Sequence, residues 1–201
     1  MNFGCGANPA SSASGYVNID GSLTVLLARL PVPAAAFGTR ADFIRVIRAN
    51  HIRYGTASGL KLPAESLDGF YASHVLEHLP TPACERLLLR VRDWLKPTGG
   101  LRVVLPDLKR FAASYVRGTI DASKFVADTH LTVDGQCWWE VLFGHSQHRW
   151  MYDAESFSRV LTKLGFRDVT ECQFGQGRWP ELSCLDIESR QHESFYIEAS
   201  K

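Results

Sequence analysis

Short apolar runs alternate along the chain with stretches in which apolar residues return every three or four positions. That alternation predicts an α/β sheet with crossover helices. Asn2-Phe3 reads as the end of a first strand, and Tyr16-Val17-Asn18-Ile19-Asp20 as a second that ends on an acid. Arg40 to Ala49 carries Phe43, Ile44 and Ile47 at helical spacing, and His51 to Tyr54 follows as a short third strand. The middle of the chain is the clearest. Gly69-Phe70-Tyr71-Ala72 predicts a strand, after which Thr81 suits an N-cap and Pro82 the first helical position. Leu87, Leu88, Val91, Trp94 and Leu95 form one stripe, the helix stops at Lys96-Pro97-Thr98-Gly99-Gly100, and Leu101 to Leu105 is a strand of the buried type. This β-α-β unit predicts a parallel, right-handed crossover.

Later, Asp153 caps a predicted helix that runs through Leu164 and stops at Gly165. Two strands follow, Arg167 to Cys172 and Ser194 to Ala199, with no obvious helix between them, which predicts an antiparallel edge. Between Asp107 and Tyr152 lies a connection longer than any ordinary crossover, with Trp138, Trp139, Phe143 and Trp150. So long a stretch is expected to be functional: 107–152 reads as an inserted cap over the site, within a single domain spanning 1–201. The aromatic residues in it are more often core than ligand platform.

Composition narrows the function without naming it. The 201 residues are 45% hydrophobic and 21% charged, with a formal net charge of +1, so the charge balance points to no nucleic-acid partner. Arg40, Arg45, Arg48 and Arg53 read as the solvated face of a helix. Five scattered cysteines without a CxxC pair suggest neither a disulfide framework nor a zinc ribbon. The N-terminus lacks the regions of a signal peptide, and the apolar stretch from Leu23 to Phe37 is broken by Arg29, Pro31 and Pro33. The expectation is a soluble, cytoplasmic protein with reduced thiols and no membrane span.

Candidate chemistry gathers at predicted strand ends. Phe3-Gly4-Cys5-Gly6 places a glycine loop directly after a strand, where the backbone can approach a ligand and offer N–H groups. Asp20, ending the next strand, can accept both hydroxyls of a ribose. Alone, each has an ordinary reading as a turn. Together they describe a site at the carboxyl ends of parallel strands.

A third element runs off the fourth strand as Ser73-His74-Val75-Leu76-Glu77-His78. With Leu62-Pro63 and Ser66-Leu67-Asp68 before it, and Lys96-Pro97-Thr98-Gly99-Gly100 and Val104-Leu105-Pro106-Asp107 after it, the chain resembles a class I S-adenosylmethionine-dependent methyltransferase, more narrowly the type 11 methyltransferase family. His148-Arg149-Trp150-Met151-Tyr152 and the helix ending Leu164-Gly165-Phe166 are similar to that group's C-terminal part. The resemblance implies a Rossmann-like, mainly parallel seven-stranded sheet with the last strand antiparallel and helices on both faces. It implies S-adenosyl-L-methionine as cofactor. Gly4, Cys5 and Gly6 would line its amino-acid portion, Asp20 would hold the ribose hydroxyls, Ala57 and Ser58 would lie beside the adenine, and Ser73 and His74 would face the methionine part. The chain departs from the pattern in two places. The loop Thr56 to Lys61 holds no acid for the adenine amino group, so backbone or Ser58 would substitute, and Ala7 to Ser14 is too short for a substantial helix.

Methyl transfer from a sulfonium needs a general base only where the acceptor carries a proton. His74 and His148 are the candidate bases for O- or N-methylation of a small-molecule acceptor. Glu77 reads equally as a site acid or as a partner of Arg86 or a backbone donor, and His78 as a turn hydrogen bond. No metal site is expected, because no acid or cysteine accompanies these histidines at a zinc-like spacing. The alternatives are a non-catalytic methyltransferase-like binding module and a nicotinamide-dependent oxidoreductase. Against the latter, the loop GCGANP lacks the third glycine and the helix that receive a pyrophosphate.

Overall fold

A computed structural model describes residues 1–10, 15–129 and 147–201. Trp138, Trp139, Phe143 and His145, and the serines 11, 12 and 14, lie outside the described residues. The chain forms two compact units, divided after Lys61.

In the first unit, β1 (Asn2–Phe3), β2 (Asn18–Asp20) and β3 (Arg53–Tyr54) are parallel, in the order β3-β2-β1. β1 has the expected bounds, while β2 and β3 are shorter than the sequence pattern suggests. α1 (Leu23–Leu27) starts at Ser22, whose Oγ accepts from the Thr24 amide. A 3-10 segment (Ala34–Arg40) leads into α2 (Ala41–Ala49), which buries Ile44 and Ile47 as the spacing predicts. Val25, Ala28, Ile44, Ile47, Ile52 and Cys5 form the core of this unit. Arg48 does more than solvate a helix face. Its guanidinium donates to the carbonyls of Ala28, Leu30 and Val32, tying off the end of α1.

The second unit holds β4 (Leu67–Ser73), β5 (Leu95–Pro106), β7 (Ser194–Ser200) and β6 (Arg167–Cys172), in the order β4-β5-β7-β6. β4 and β5 are parallel, and β7 is antiparallel to both its neighbours, as the late strand pair predicts. The fold class is therefore the expected one: α/β, Rossmann-like, seven strands that are mostly parallel with the last antiparallel. α3 (Thr81–Trp94) carries Leu87, Leu88, Val91 and Trp94 into the core. Its N-cap is Pro80 rather than Thr81, and Pro82 is the second helical residue. Proline fits either place, since the first-turn N–H groups have no intrahelical partner.

β5 begins earlier than predicted. Leu95 already pairs with Leu67, whereas Gly69 pairs with Gly100, so Lys96 to Gly99 bulge out between two paired positions. A Cβ on Gly99 would stand 2.9–3.1 Å from the carbonyls of Leu67, Asp68 and Lys96, so only glycine fits the bulge. Beyond β5, α4 (Leu108–Val116) and α5 (Ala122–Thr129) open the long connection. α6 (Ala154–Lys163) follows a capping box of Asp153 and Ser156, and Gly165 ends it at φ +85°. α7 (Pro180–Ser183) is a single turn. Among the described residues, no helix is long and apolar enough to cross a membrane.

Candidate functional site

In the first unit the predicted residues lie at the carboxyl ends of the three parallel strands. β1 ends at Phe3, and the chain turns through Gly4 (φ +67°) and Gly6 (φ +49°), conformations that glycine adopts without strain. The Gly4 and Cys5 amides both donate to the Ile19 carbonyl, at 2.7 and 3.1 Å, which clips the loop to the end of β2. The Gly6 amide donates to Asp20 Oδ2 at 3.0 Å, and the Ser22 amide to Asp20 Oδ1 at 2.8 Å. The buried Asp20 carboxylate thus joins the glycine loop to the start of α1.

This arrangement differs from the expected one in a useful way. The three loop amides are spent inside the unit, so a ligand would meet the loop through its carbonyls. A cofactor with a ribose diol and an ammonium group fits that offer. An ionised carboxylate accepts about four hydrogen bonds, and two of Asp20's are taken by amides. Among the described residues, no atom lies within 4 Å of where a Gly6 side chain would stand.

Cys5 points its thiol into the core of the first unit. Burial, reinforced by the nearby Asp20 charge, pushes that thiol up to about 12. It is neutral and inert, and only its backbone remains for a ligand. Beyond β3, the Gly55 amide donates to the Asp20 carbonyl at 3.1 Å. Thr56 Oγ1 accepts from the Gly59 amide and lies 3.4 Å from Ser58 Oγ, forming a compact turn that presents Ala57 and Ser58.

In the second unit, β4 delivers Ser73 and His74. Ser73 Oγ is buried and has no hydrogen-bond partner among the described residues. His74 sits at φ +53°, a left-handed conformation uncommon outside glycine and held here by its surroundings. Two bonds do so: its amide donates to the Val104 carbonyl at 2.9 Å, and its Nε2 lies 2.7 Å from Ser194 Oγ at the start of β7.

Leu76–His78 then form one 3-10 turn. The Glu77 carbonyl accepts from the Arg149 and Trp150 amides at 2.7 and 3.1 Å, which fastens the returning chain over the turn. The Glu77 side chain is 1% exposed, and neither of its oxygens has a hydrogen-bond partner among the described residues. Burial raises its carboxyl to about 8. Three imidazoles surround Oε1: His74 Nδ1 at 3.7 Å, His78 Nε2 at 3.9 Å and His148 Nε2 at 3.9 Å. His74 and His148, far apart in sequence, therefore face the same carboxyl oxygen. Glu77, His78 and Ser194 complete the cluster: Glu77 reads from the sequence evenly as a site acid or a pairing residue, His78 only as a turn hydrogen bond, and Ser194 only as a strand residue. The signal available was the spacing within Ser73 to His78, which sets a histidine, an acid and a second histidine along one tight turn.

Known proteins support one identity. A family model described as a methyltransferase domain matches residues 11–171, which include Asp20, the Ser73 to His78 segment and the Lys96 to Gly100 bulge. Among proteins of curated function, none matches the sequence significantly. The chain is similar in structure to a SAM-dependent methyltransferase of Thermotoga maritima, with a TM-score of 0.56 and 18% identity over 100% of this chain and 80% of that one. A SAM-dependent methyltransferase of Archaeoglobus fulgidus gives 0.54 and 17%, over 100% and 84% of the two chains. The phosphoethanolamine N-methyltransferase 2 of Haemonchus contortus, solved with S-adenosyl-L-methionine, gives 0.54 and 13%, this chain spanning 47% of that one. At these identities the likeness is one of fold, while the match across most of the sequence makes the chain a member of the methyltransferase-domain family, an S-adenosylmethionine-dependent methyltransferase.

Proposed function

We propose that the enzyme methylates a hydroxyl or amine of a small-molecule acceptor, with His74 taking the acceptor's proton. The observation that carries this reading is His74 itself. It is held in a left-handed conformation at a strand end, with Nε2 on the Ser194 hydroxyl and Nδ1 facing the buried Glu77 carboxyl. Strained residues of this kind cluster at functional sites, and Glu77 in its ionised form beside Nδ1 would stabilise the imidazolium that forms when Nε2 takes a proton. His148, 3.9 Å from the same Glu77 oxygen, is the second candidate base.

Bound S-adenosylmethionine supplies the activated methyl on its sulfonium. Asp20 would hold its ribose hydroxyls, the Gly4-Cys5-Gly6 backbone its amino-acid portion, Ala57 and Ser58 the adenine, and Ser73 with His74 the methionine part. Residues 107–152 would cover the acceptor within a single domain. The closed base of that stretch supports this reading: Asp107 and Tyr152 form a β-bridge, and the Leu108 amide donates to the Tyr152 carbonyl at 2.9 Å.

Two measurements test the assignment. Calorimetry with S-adenosylhomocysteine should show Asp20→Ala weakening binding by about 1–3 kcal/mol, the scale of lost charge-assisted hydrogen bonds. Labelled-methyl transfer to a panel of small hydroxyl- and amine-bearing compounds should fall at least about 100-fold in His74→Gln, the usual worth of a general base, with cofactor affinity kept. Transfer confined to protein or nucleic-acid acceptors would overturn the proposal.

A further inference from the structure

The cluster around Glu77 poses an electrostatic problem that a proton-transfer role for His74 does not solve. His78 Nδ1 lies 3.2 Å from the Gln147 carbonyl and His148 Nδ1 lies 3.2 Å from the Met151 sulfur. A carbonyl only accepts, so in the neutral His78 ring Nδ1 carries the hydrogen, and the weakly accepting Met151 thioether favours the same tautomer in His148. Each Nε2 is then the lone-pair nitrogen, and each lies 3.9 Å from Glu77 Oε1, itself an acceptor. The two Nε2 atoms converge at 3.9 Å from the carboxyl oxygen, too long for a hydrogen bond to it. The carboxyl at their centre is 1% exposed, and neither of its oxygens has a hydrogen-bond partner among the described residues. A cation between these atoms removes the repulsion and satisfies the carboxylate together.

We infer that Glu77, His78 and His148 bind one divalent transition-metal ion of the zinc class, through Glu77 Oε1 and the two Nε2 atoms. Two imidazoles and one carboxylate are the ligand set of an open, three-ligand zinc site. The three ligand atoms lie within 4.8 Å of one another. Tetrahedral zinc with bonds of about 2.1 Å sets its ligands roughly 3.4 Å apart, so the two 3.9 Å carboxylate–imidazole spans close by about half an ångström. The two imidazole nitrogens, within 4.8 Å of each other, close by at most about 1.4 Å through side-chain rotation. The outer supports are already in place. Nδ1–H donation to a backbone carbonyl or other acceptor is how metal-bound histidines are oriented, and the Gln147 and Met151 contacts supply it. The rings of His78 and His148 meet edge to face, 4.9 Å between centroids. His78 is the most exposed ligand, its side chain 29% accessible, so the ion enters, and keeps its open coordination position, on that side. With His148 committed to the ion, His74 remains as the base. The inference concerns metal binding alone and stands whatever the acceptor proves to be.

The test uses the full-length protein stripped with a chelator and titrated with Zn²⁺ against a chromophoric competitor, with Co²⁺ as a spectroscopic stand-in. The expected result is one ion per chain, a visible Co²⁺ absorption band and a rise in melting temperature on zinc addition. Glu77→Gln and His78→Gln should each lower zinc affinity by about 10–100-fold or more, on the scale by which metal sites respond to lost supports. His78→Gln is the safer variant, since its side chain is partly exposed. His192→Ala, at an exposed histidine outside the cluster, should leave zinc affinity unchanged. S-adenosylhomocysteine affinity, measured on the same proteins, separates loss of metal from loss of fold or of the cofactor site. Absence of zinc binding in the unmodified protein overturns the inference, as does equal binding in Glu77→Gln and His78→Gln.

Discussion

Arg102 offers the sharpest stability prediction, because its surroundings can be counted donor by donor. It lies in mid-β5 with no exposed surface, in a segment whose neighbours are all apolar. Its guanidinium has five N–H groups, and each finds one acceptor. Nε and Nη2 grip Asp186 as a fork, at 2.9 and 2.5 Å. Nη1 reaches Glu198 at 2.9 Å and the Gln176 carbonyl at 3.0 Å, and Nη2 also reaches the Gln173 carbonyl at 3.1 Å. The carboxylates are equally occupied: Asp186 Oδ2 accepts from the Gly175 amide and Glu198 Oε2 from the Arg178 amide. The group thus fastens the 173–186 segment onto β5 and β7. Arg102→Met keeps the side chain's length but leaves two carboxylates, 1% and 3% exposed, without their cation. Breaking such a buried pair from one side costs about 3–5 kcal/mol, far above the 0–1 kcal/mol of a surface pair. Arg102→Lys keeps the charge but has three donors and no fork, so it should recover less than half of that loss. Equilibrium urea unfolding, followed by far-ultraviolet dichroism, measures both. A loss below about 1 kcal/mol for Arg102→Met, or wild-type stability for Arg102→Lys, would refute the reasoning.

Three further outcomes follow from the packing. A Cβ on Gly100 would stand 2.3–2.8 Å from the Trp179 ring, so Gly100→Ala should cost about 1–3 kcal/mol and shift tryptophan emission as the indole is displaced; unchanged emission and stability would count against that contact. Burial pushes the Cys5 and Cys84 thiols up to about 12, so at pH 8.5 in the folded protein both should resist iodoacetamide while the exposed Cys184 reacts, as mass spectrometry would show. The sign is fixed: a thiol of raised folded pKa contributes stability that is complete below its unfolded value of about 8.5 and is lost as pH climbs towards 12, so the melting temperature should fall through that window and should fall less in Cys84→Ala. Asp153→Ala removes the capping box of α6 and should cost about 1 kcal/mol at neutral pH. The Ser156 amide and hydroxyl hold the Asp153 carboxyl below its usual range, so this contribution is present above about pH 3.9 and disappears as acid protonates the folded carboxylate; a difference between the two proteins that survives at pH 2 would contradict it.

What could be read from the sequence, and what could not, divides by the range of the interactions. Where an element is buried, its apolar residues announce it, as in β4, α3 and β7. The Asp153 cap and the Gly165 stop are local chemistry and were equally legible. Gly4, Gly6 and Asp20 could be proposed as one site because short parallel strands bring their carboxyl ends to a common edge, and the bonds from Gly6 and Ser22 to Asp20 run along that edge. The bulge at Lys96 to Gly99 looked like a plain helix stop, because nothing in those residues tells that Leu95 will pair with Leu67. Arg102 looked like an ordinary residue of a buried strand, since its partners lie 71 or more positions away. Glu77 is the most instructive case. From its neighbours alone it reads evenly as a site acid or a surface partner. Burial decides between these, and that burial is completed by a segment about 70 residues later, whose amides at Arg149 and Trp150 close on the Glu77 carbonyl. The same closure carries His148 to the carboxyl that His74 and His78 already flank. Metal-ligand spacing rules look for donors along one stretch of chain. Here Glu77 and His78 come from one turn and His148 from a returning segment, so the grouping on which the inferred site rests is invisible to such rules. A residue's chemistry in this protein is thus set less by its own motif than by which distant strand end or returning loop completes its surroundings.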